Sequence, residues 1–210
     1  MNIKQNSTCL LLASLLCIPL HAEPLPGLSA SPDGVNIRTT DAGEFTLPAP
    51  VLMLRPDDYD GQKPAVTVED AATLLAKYPS GAELRIGIAQ NAVNYTWSGL
   101  PDGAFAFRFV TLLPISLADG GTFMLGNNNP APFPATKEKQ TVAKGWARSF
   151  RLQNAAGAGF ALATPGAFQE VQDNRVFNWE VFAYILNYRF DENSGATGFA
   201  LTVTAVSADK

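Results

Sequence analysis

Turn-forming residues divide this sequence into short extended segments roughly every eight to twelve residues, a spacing that restricts the chain to an antiparallel sandwich or barrel. After Gly34 the apolar, β-branched segments are VNIRT (35–39), EFTL (44–47), VLMLR (51–55), ELRIGIAQ (83–90), AVNYTWSG (92–99) and AFAFRFVTLL (104–113). The second half continues with GTFMLG (121–126), WARSFRLQ (146–153), FALAT (160–164), FQEVQDNR (168–175), NWEVFAYILNYRF (178–190) and GFALTVTAV (198–206). Gln90-Asn91 and GLPDG (99–103) mark tight turns. EDAATLLAKYPSG (69–81) suits a short helix, or the first arm of a hairpin turning at Pro79-Ser80-Gly81. Its strand-forming neighbours favour the hairpin. The expectation is an all-β fold, an antiparallel two-sheet β-sandwich of jelly-roll or supersandwich type. About ten to twelve strands would form a single domain over 23–210.

Residues 1–22 read as an export signal. Lys4 supplies the positive start, Thr8–Leu20 is an apolar run too short for a stable anchor, and Leu20-His21-Ala22 offers a small-residue cleavage site. The mature chain would begin at Glu23 and work in the periplasm or outside the cell. Cys9, Cys17 and His21, the only thiols and the only imidazole, all lie in the segment removed. What remains has no disulfide, no thiolate nucleophile, no Cys/His zinc site and no Ser-His-Asp triad.

Charge narrows the partners further. The formal net charge is −4, and Lys137–Lys139 is the only basic cluster after the signal. That balance argues against nucleic acid, and no later apolar run approaches the length of a membrane helix. With 47% hydrophobic and 16% charged residues the chain can bury a core and is not disordered. Its oligomeric state is not legible.

DDYDG (57–61) resembles a calcium loop in composition only. The EF-hand template needs an oxygen ligand where Pro56 stands and a glutamate where Thr67 stands. A solvated acidic turn is expected, with a structural calcium on Asp57, Asp58 and Asp60 as the alternative and no other cofactor. NNNPAPFPATKEKQ (127–140) is the longest stretch without strand character. Its asparagines and Phe133 could meet a ligand, or Phe133 could anchor the loop in the core. Phe105, Phe107 and Phe109 alternate on one side of a segment, so burial is expected for them rather than an interaction face.

VQDNRVFNWEVF (171–182) places Asp173, Arg175 and Glu180 among Val171, Phe177, Trp179 and Phe182. Charges are seldom set so deep unless paired or used. The commonest fate is a structural lock in which Arg175 holds Asp173 or Glu180. The functional alternative is a sugar site, because Gln172, Asp173, Asn174, Arg175, Trp179 and Glu180 supply planar amides, carboxylates, a guanidinium and an indole. Trp146 is a further candidate platform.

GEFTLPAPVL (43–52), PFPATKEKQ (132–140) and VQDNRVFNWEVFAYIL (171–186) resemble β-sandwich modules of bacterial secreted carbohydrate-active proteins. Such modules occur alone or joined to polysaccharide-degrading enzymes, pectin-directed ones among them. The resemblance implies an all-β sandwich in a carbohydrate-use setting and assigns no residue a role. The first expectation is an exported protein that binds polysaccharide without cleaving it. One alternative is a lyase or hydrolase acting on an acidic glycan through Tyr184, Tyr188, Glu180 or Arg175. Another is a structural or protein-interaction module.

Overall fold

The computed structural model describes residues 26–208. The expected signal at 1–22 lies outside the described residues, together with both cysteines and the histidine. No helix among the described residues is long and apolar enough to cross a membrane.

The chain is nearly all β, as the turn spacing predicts, with a large curled antiparallel sheet and a second sheet of three strands, consistent with a β-sandwich. The described residues form fifteen strands, above the number expected, because pieces outside the expected segments, such as β1 (Gly27–Ser31) and β11 (Ala131–Pro132), also pair. The small sheet is β1 (Gly27–Ser31), β2 (Gly34–Thr39) and β3 (Gly43–Pro48) in sequence order.

The large sheet forks at β13 (Gly159–Asp173), which pairs along its length with β12 (Thr141–Gln153). Residues 159–163 of β13 pair with β15 (Gly198–Val206), and residues 168–173 pair with β14 (Val181–Arg189). One limb continues from β15 through β8 (Ala92–Ser98), β7 (Glu83–Ala89), β6 (Thr73–Lys77) and β5 (Ala65–Asp70). The other runs from β14 through β9 (Ala106–Pro114) to β4 (Val51–Met53). On the far side of β12, β10 (Thr122–Leu125) and β11 complete the sheet.

Alternation decides what each strand buries. In β8, Val93 and Tyr95 turn inward while Asn94 and Thr96 face solvent; in β9, Phe107 and Phe109 turn inward. The limbs meet through aromatic edges: Tyr95 against Phe109 at 5.2 Å, Trp97 against Phe107 at 5.6 Å, and Tyr188 stacked on Phe199 at 4.3 Å. Offset and edge-on ring contacts of this kind add to the free energy of apolar burial. Phe45 stacks on Phe160 at 4.0 Å and fixes the small sheet to the same core.

The ambiguous 69–81 segment is extended: β5 ends at Asp70, the chain turns, and β6 pairs with β7 across the turn holding Pro79-Ser80-Gly81. Between β7 and β8, Gln90 takes the left-handed conformation (φ 55°) that a two-residue hairpin turn demands.

The FALAT and FQEVQDNR segments are not separate strands. Pro165-Gly166, which reads as a break, sits inside continuous β13 where it passes from β15 to β14. No ladder bond to either limb is required there, so proline's missing N–H costs nothing. The fully buried Gln169 bridges the fork, donating from Nε2 to the Ala147 carbonyl at 3.1 Å and to Thr164 Oγ1 at 3.0 Å. After Asp173 the chain leaves the sheet in a 3-10 turn, Asn174–Phe177, and Asn178 (φ 64°) reverses it, so β14 starts at Val181 rather than Asn178.

Candidate functional site

The 171–182 stretch divides among three environments. Asp173 has no solvent exposure and Arg175 only 8%. Arg175 Nε donates to Asp173 Oδ1 at 2.8 Å, its Nη2 to Oδ2 at 2.8 Å, and its backbone N–H to Oδ1 at 3.1 Å. Nη2 also reaches the Pro134 carbonyl at 2.6 Å, and the guanidinium lies 4.5 Å from the Phe182 ring centre. Desolvation alone would push the Asp173 carboxyl up, but the hydrogen bonds and charge of Arg175 outweigh it and hold that carboxyl below its ordinary value. The pair ties the 127–140 loop to the end of β13; it is a lock, and Asn174 is buried beside it. Arg175 holds Asp173 and not Glu180, which points outward and pairs with Lys137 at 2.9 Å.

The other expected binding residues separate likewise. Phe133 is 6% exposed and wedged between Phe123 and Phe182, with ring centres at 5.0 and 4.8 Å, so it anchors its loop in the core. Trp179 is 62% exposed beyond the end of β13, beside the exposed Phe177. Gln172 leaves the opposite face of β13 from Asp173, and its Oε1 accepts from Gln140 Nε2 at 3.1 Å. Trp146, on β12, is half exposed. It stands opposite Phe168, about 17 Å along β13 from Asp173 at roughly 3.3 Å per residue. Trp146 and Trp179 therefore do not share one groove.

Trp146 belongs to the outer face of the β12–β13–β14–β9 layer. Register places Lys144 opposite Glu170, Phe168 opposite Asn187, Asn187 opposite Arg108, and Arg189 opposite Ala106. All of these but Ala106, with Tyr59 and Pro56 from the loop after β4 and Phe105 before β9, line a cleft of about 270 Å³. Arg108 Nη1 donates to Asn187 Oδ1 at 3.2 Å and its guanidinium lies 5.0 Å from the Tyr59 ring centre. Glu170 Oε1 accepts from Thr141 Oγ1 at 2.7 Å. Arg189, ion-paired with Asp191, spreads over Phe105 at 5.0 Å and Trp146 at 5.7 Å. Trp146 itself lines a separate depression of about 430 Å³ with Asn127, Arg148, Gly126 and Gly166.

Arg108, Asn187, Arg189, Lys144, Glu170 and Tyr59 are absent from the set that the sequence singles out. One signal was available: the inward Phe107/Phe109 and Leu186/Tyr188 pairs force Arg108, Asn187 and Arg189 outward.

The phenols proposed as catalytic bases face the other way. Tyr184 stacks on Phe150 at 4.0 Å, Tyr188 lies among the core aromatics, and burial raises the pKa of both. In DDYDG, Asp58 accepts from the backbone N–H of Gly61 at 3.2 Å and of Leu54 at 3.4 Å, while Tyr59 extends toward Arg108. Among the described residues no group of three or more His, Cys, Asp or Glu converges to hold a metal ion.

No protein-family model matches the sequence, and no curated protein sequence matches it. Among solved structures the chain is similar to a GH31 family sulfoquinovosidase from E. rectale in complex with the aza-sugar inhibitor IFGSQ, with 9% sequence identity and a TM-score of 0.39. The likeness covers 87% of this chain and 28% of that one, so the chain spans under a third of that enzyme's length. So distant a likeness assigns neither family nor activity.

Proposed function

We propose that this chain is an exported β-sandwich that binds carbohydrate, without cleaving it, on the outer face of the β12–β13–β14–β9 layer. The observation that supports this best is Trp146, a half-exposed indole on a paired strand that lines a depression with Asn127 and Arg148 and lies 5.7 Å from Arg189, which lines the neighbouring cleft. Sugar rings offer apolar C–H faces to an indole and fans of hydroxyls to planar polar groups. A paired strand holds such a platform in place more rigidly than a loop would.

Calorimetric titration of the signal-free protein with a polysaccharide panel tests the proposal. Wild type is expected to bind at least one glycan, and Trp146→Ala to weaken it about tenfold or more, a loss of about 1.4 kcal/mol. Trp179→Ala, at the far end of the layer, is expected to leave it unchanged. Wild type binding no glycan would overturn the proposal.

One observation favours a second possibility, a lyase. Tyr59 and Lys144, candidate bases, line the same cleft as Arg108, whose charge could neutralise a uronate, and Asn187, whose amide could hydrogen-bond it. Ultraviolet absorbance of an unsaturated product, lost in Tyr59→Phe or Lys144→Gln, would establish it.

A further inference from the structure

We propose that the cleft bounded by Tyr59, Arg108, Lys144 and Glu170 is selective for an anionic saccharide, whose carboxylate or sulfate is held by Arg108 and Lys144. This rests on the carbohydrate reading above and narrows it to a ligand class.

Arg38, Arg55, Arg85, Arg175 and Arg189 each hold a carboxylate. Arg108, Arg148 and Arg151 make no ion pair among the described residues; Arg148 is exposed and Arg151 lies at another depression, so Arg108 is the unpaired, partly sheltered guanidinium of this cleft. Its one protein acceptor is the Asn187 amide oxygen, which leaves most of the guanidinium fork without a partner on the protein. Burial lowers the pKa of Arg108, and the nearby Glu170 charge only partly offsets this. Partial desolvation without a counter-ion is an unfavourable state for a cation, and a bound anion would relieve it.

The neighbours point the same way. Lys144 is exposed and likewise makes no ion pair among the described residues. Glu170 is the cleft's own carboxylate, with one oxygen engaged by Thr141. Arg189 is already neutralised by Asp191. The cleft thus carries surplus positive charge on a protein of net charge −4. A guanidinium fork matches the geometry of a carboxylate or sulfate, and an ammonium adds a point charge beside it. The volume of about 270 Å³ lies near the lower limit for ligand sites and suits a single charged sugar residue.

The test titrates the signal-free chain with oligogalacturonides, with the same oligosaccharides after carboxyl reduction, and with sulfated galactan oligosaccharides, at low and high salt. At least one acidic series is expected to bind tenfold or more tighter than the reduced series, with the margin shrinking as salt rises. Which acidic series binds identifies the anion. Lys144→Gln, a surface change, and Arg108→Gln are each expected to cut the ratio of acidic to neutral affinity severalfold. Arg108→Lys should keep part of the preference. Equal binding of acidic and reduced oligosaccharides would overturn this inference and leave carbohydrate binding standing. Binding of no saccharide would overturn both. An acidic preference untouched by both Lys144→Gln and Arg108→Gln would place the anion elsewhere and also refute it.

Discussion

Asp173 keeps its charge with no access to water because Arg175 supplies two charge-assisted hydrogen bonds and a backbone donor. Removing either partner strands the other, so Arg175→Met is expected to cost about 3–5 kcal/mol in urea unfolding. The double variant Asp173→Leu/Arg175→Met should lose less than Arg175→Met alone, since it buries no orphaned carboxylate. The pair also predicts a pH dependence. Asp173 titrates below its ordinary value in the folded protein, so as pH falls the unfolded chain takes up this proton first. Its contribution is complete above about pH 5 and drains away as pH falls through the folded value. The urea midpoint of wild type should therefore fall more steeply between about pH 5 and about pH 2 than that of the double variant; equal slopes would show that Arg175 does not hold the carboxyl down. At this scale the sequence was half legible. Charges in an apolar stretch announced a lock, but the partner depended on a 3-10 turn that alternation does not encode. That turn brings Arg175 back onto Asp173, while Glu180 passes to the surface.

Among the elements, most strands were readable from period-two burial, though not β1, β5 or β11, whereas strand partnership was not readable. Pro165-Gly166 looks like punctuation, and only the change of partner from β15 to β14 explains how β13 runs through it unbroken. The β12–β13 hairpin imposes a second constraint, a backbone approach too close for any side chain. A Cβ on Gly159 would come within 1.8 Å of the Leu152 carbonyl oxygen, whereas one on Gly145 in β12 would meet nothing within 4 Å. Gly159→Ala must therefore push the two strands apart, and about 1–3 kcal/mol of stability is expected to be lost. Gly145→Ala should leave stability unchanged or raise it by up to about 1 kcal/mol, because the unfolded chain loses freedom. Thermal denaturation of the two variants compares them directly, and similar melting temperatures would mean that the hairpin is not so tightly closed.

Over the whole molecule, the fork in the large sheet does two things at once. It folds one limb back on the other around the aromatic core, and it sets β12, β13, β14 and β9 side by side. That adjacency brings Lys144, Glu170, Asn187 and Arg108 into one cleft from distant parts of the chain, and no local pattern reveals which outward residues become neighbours. The described residues contain no cysteine, so ring contacts such as Trp97–Phe107, Tyr188–Phe199 and Phe45–Phe160 hold the limbs and the small sheet together. If export removes residues 1–22, no thiol is left for disulfide chemistry in the functional protein. Mass spectrometry of the exported protein is then expected to find Glu23 at its amino terminus, and its Tm should be identical with and without a thiol reductant. A reductant-sensitive melt would mean that Cys9 and Cys17 persist and contribute to stability. That outcome would also return thiol and imidazole chemistry to a chain otherwise confined to oxygens, amides, ammonium and guanidinium groups, and aromatic faces.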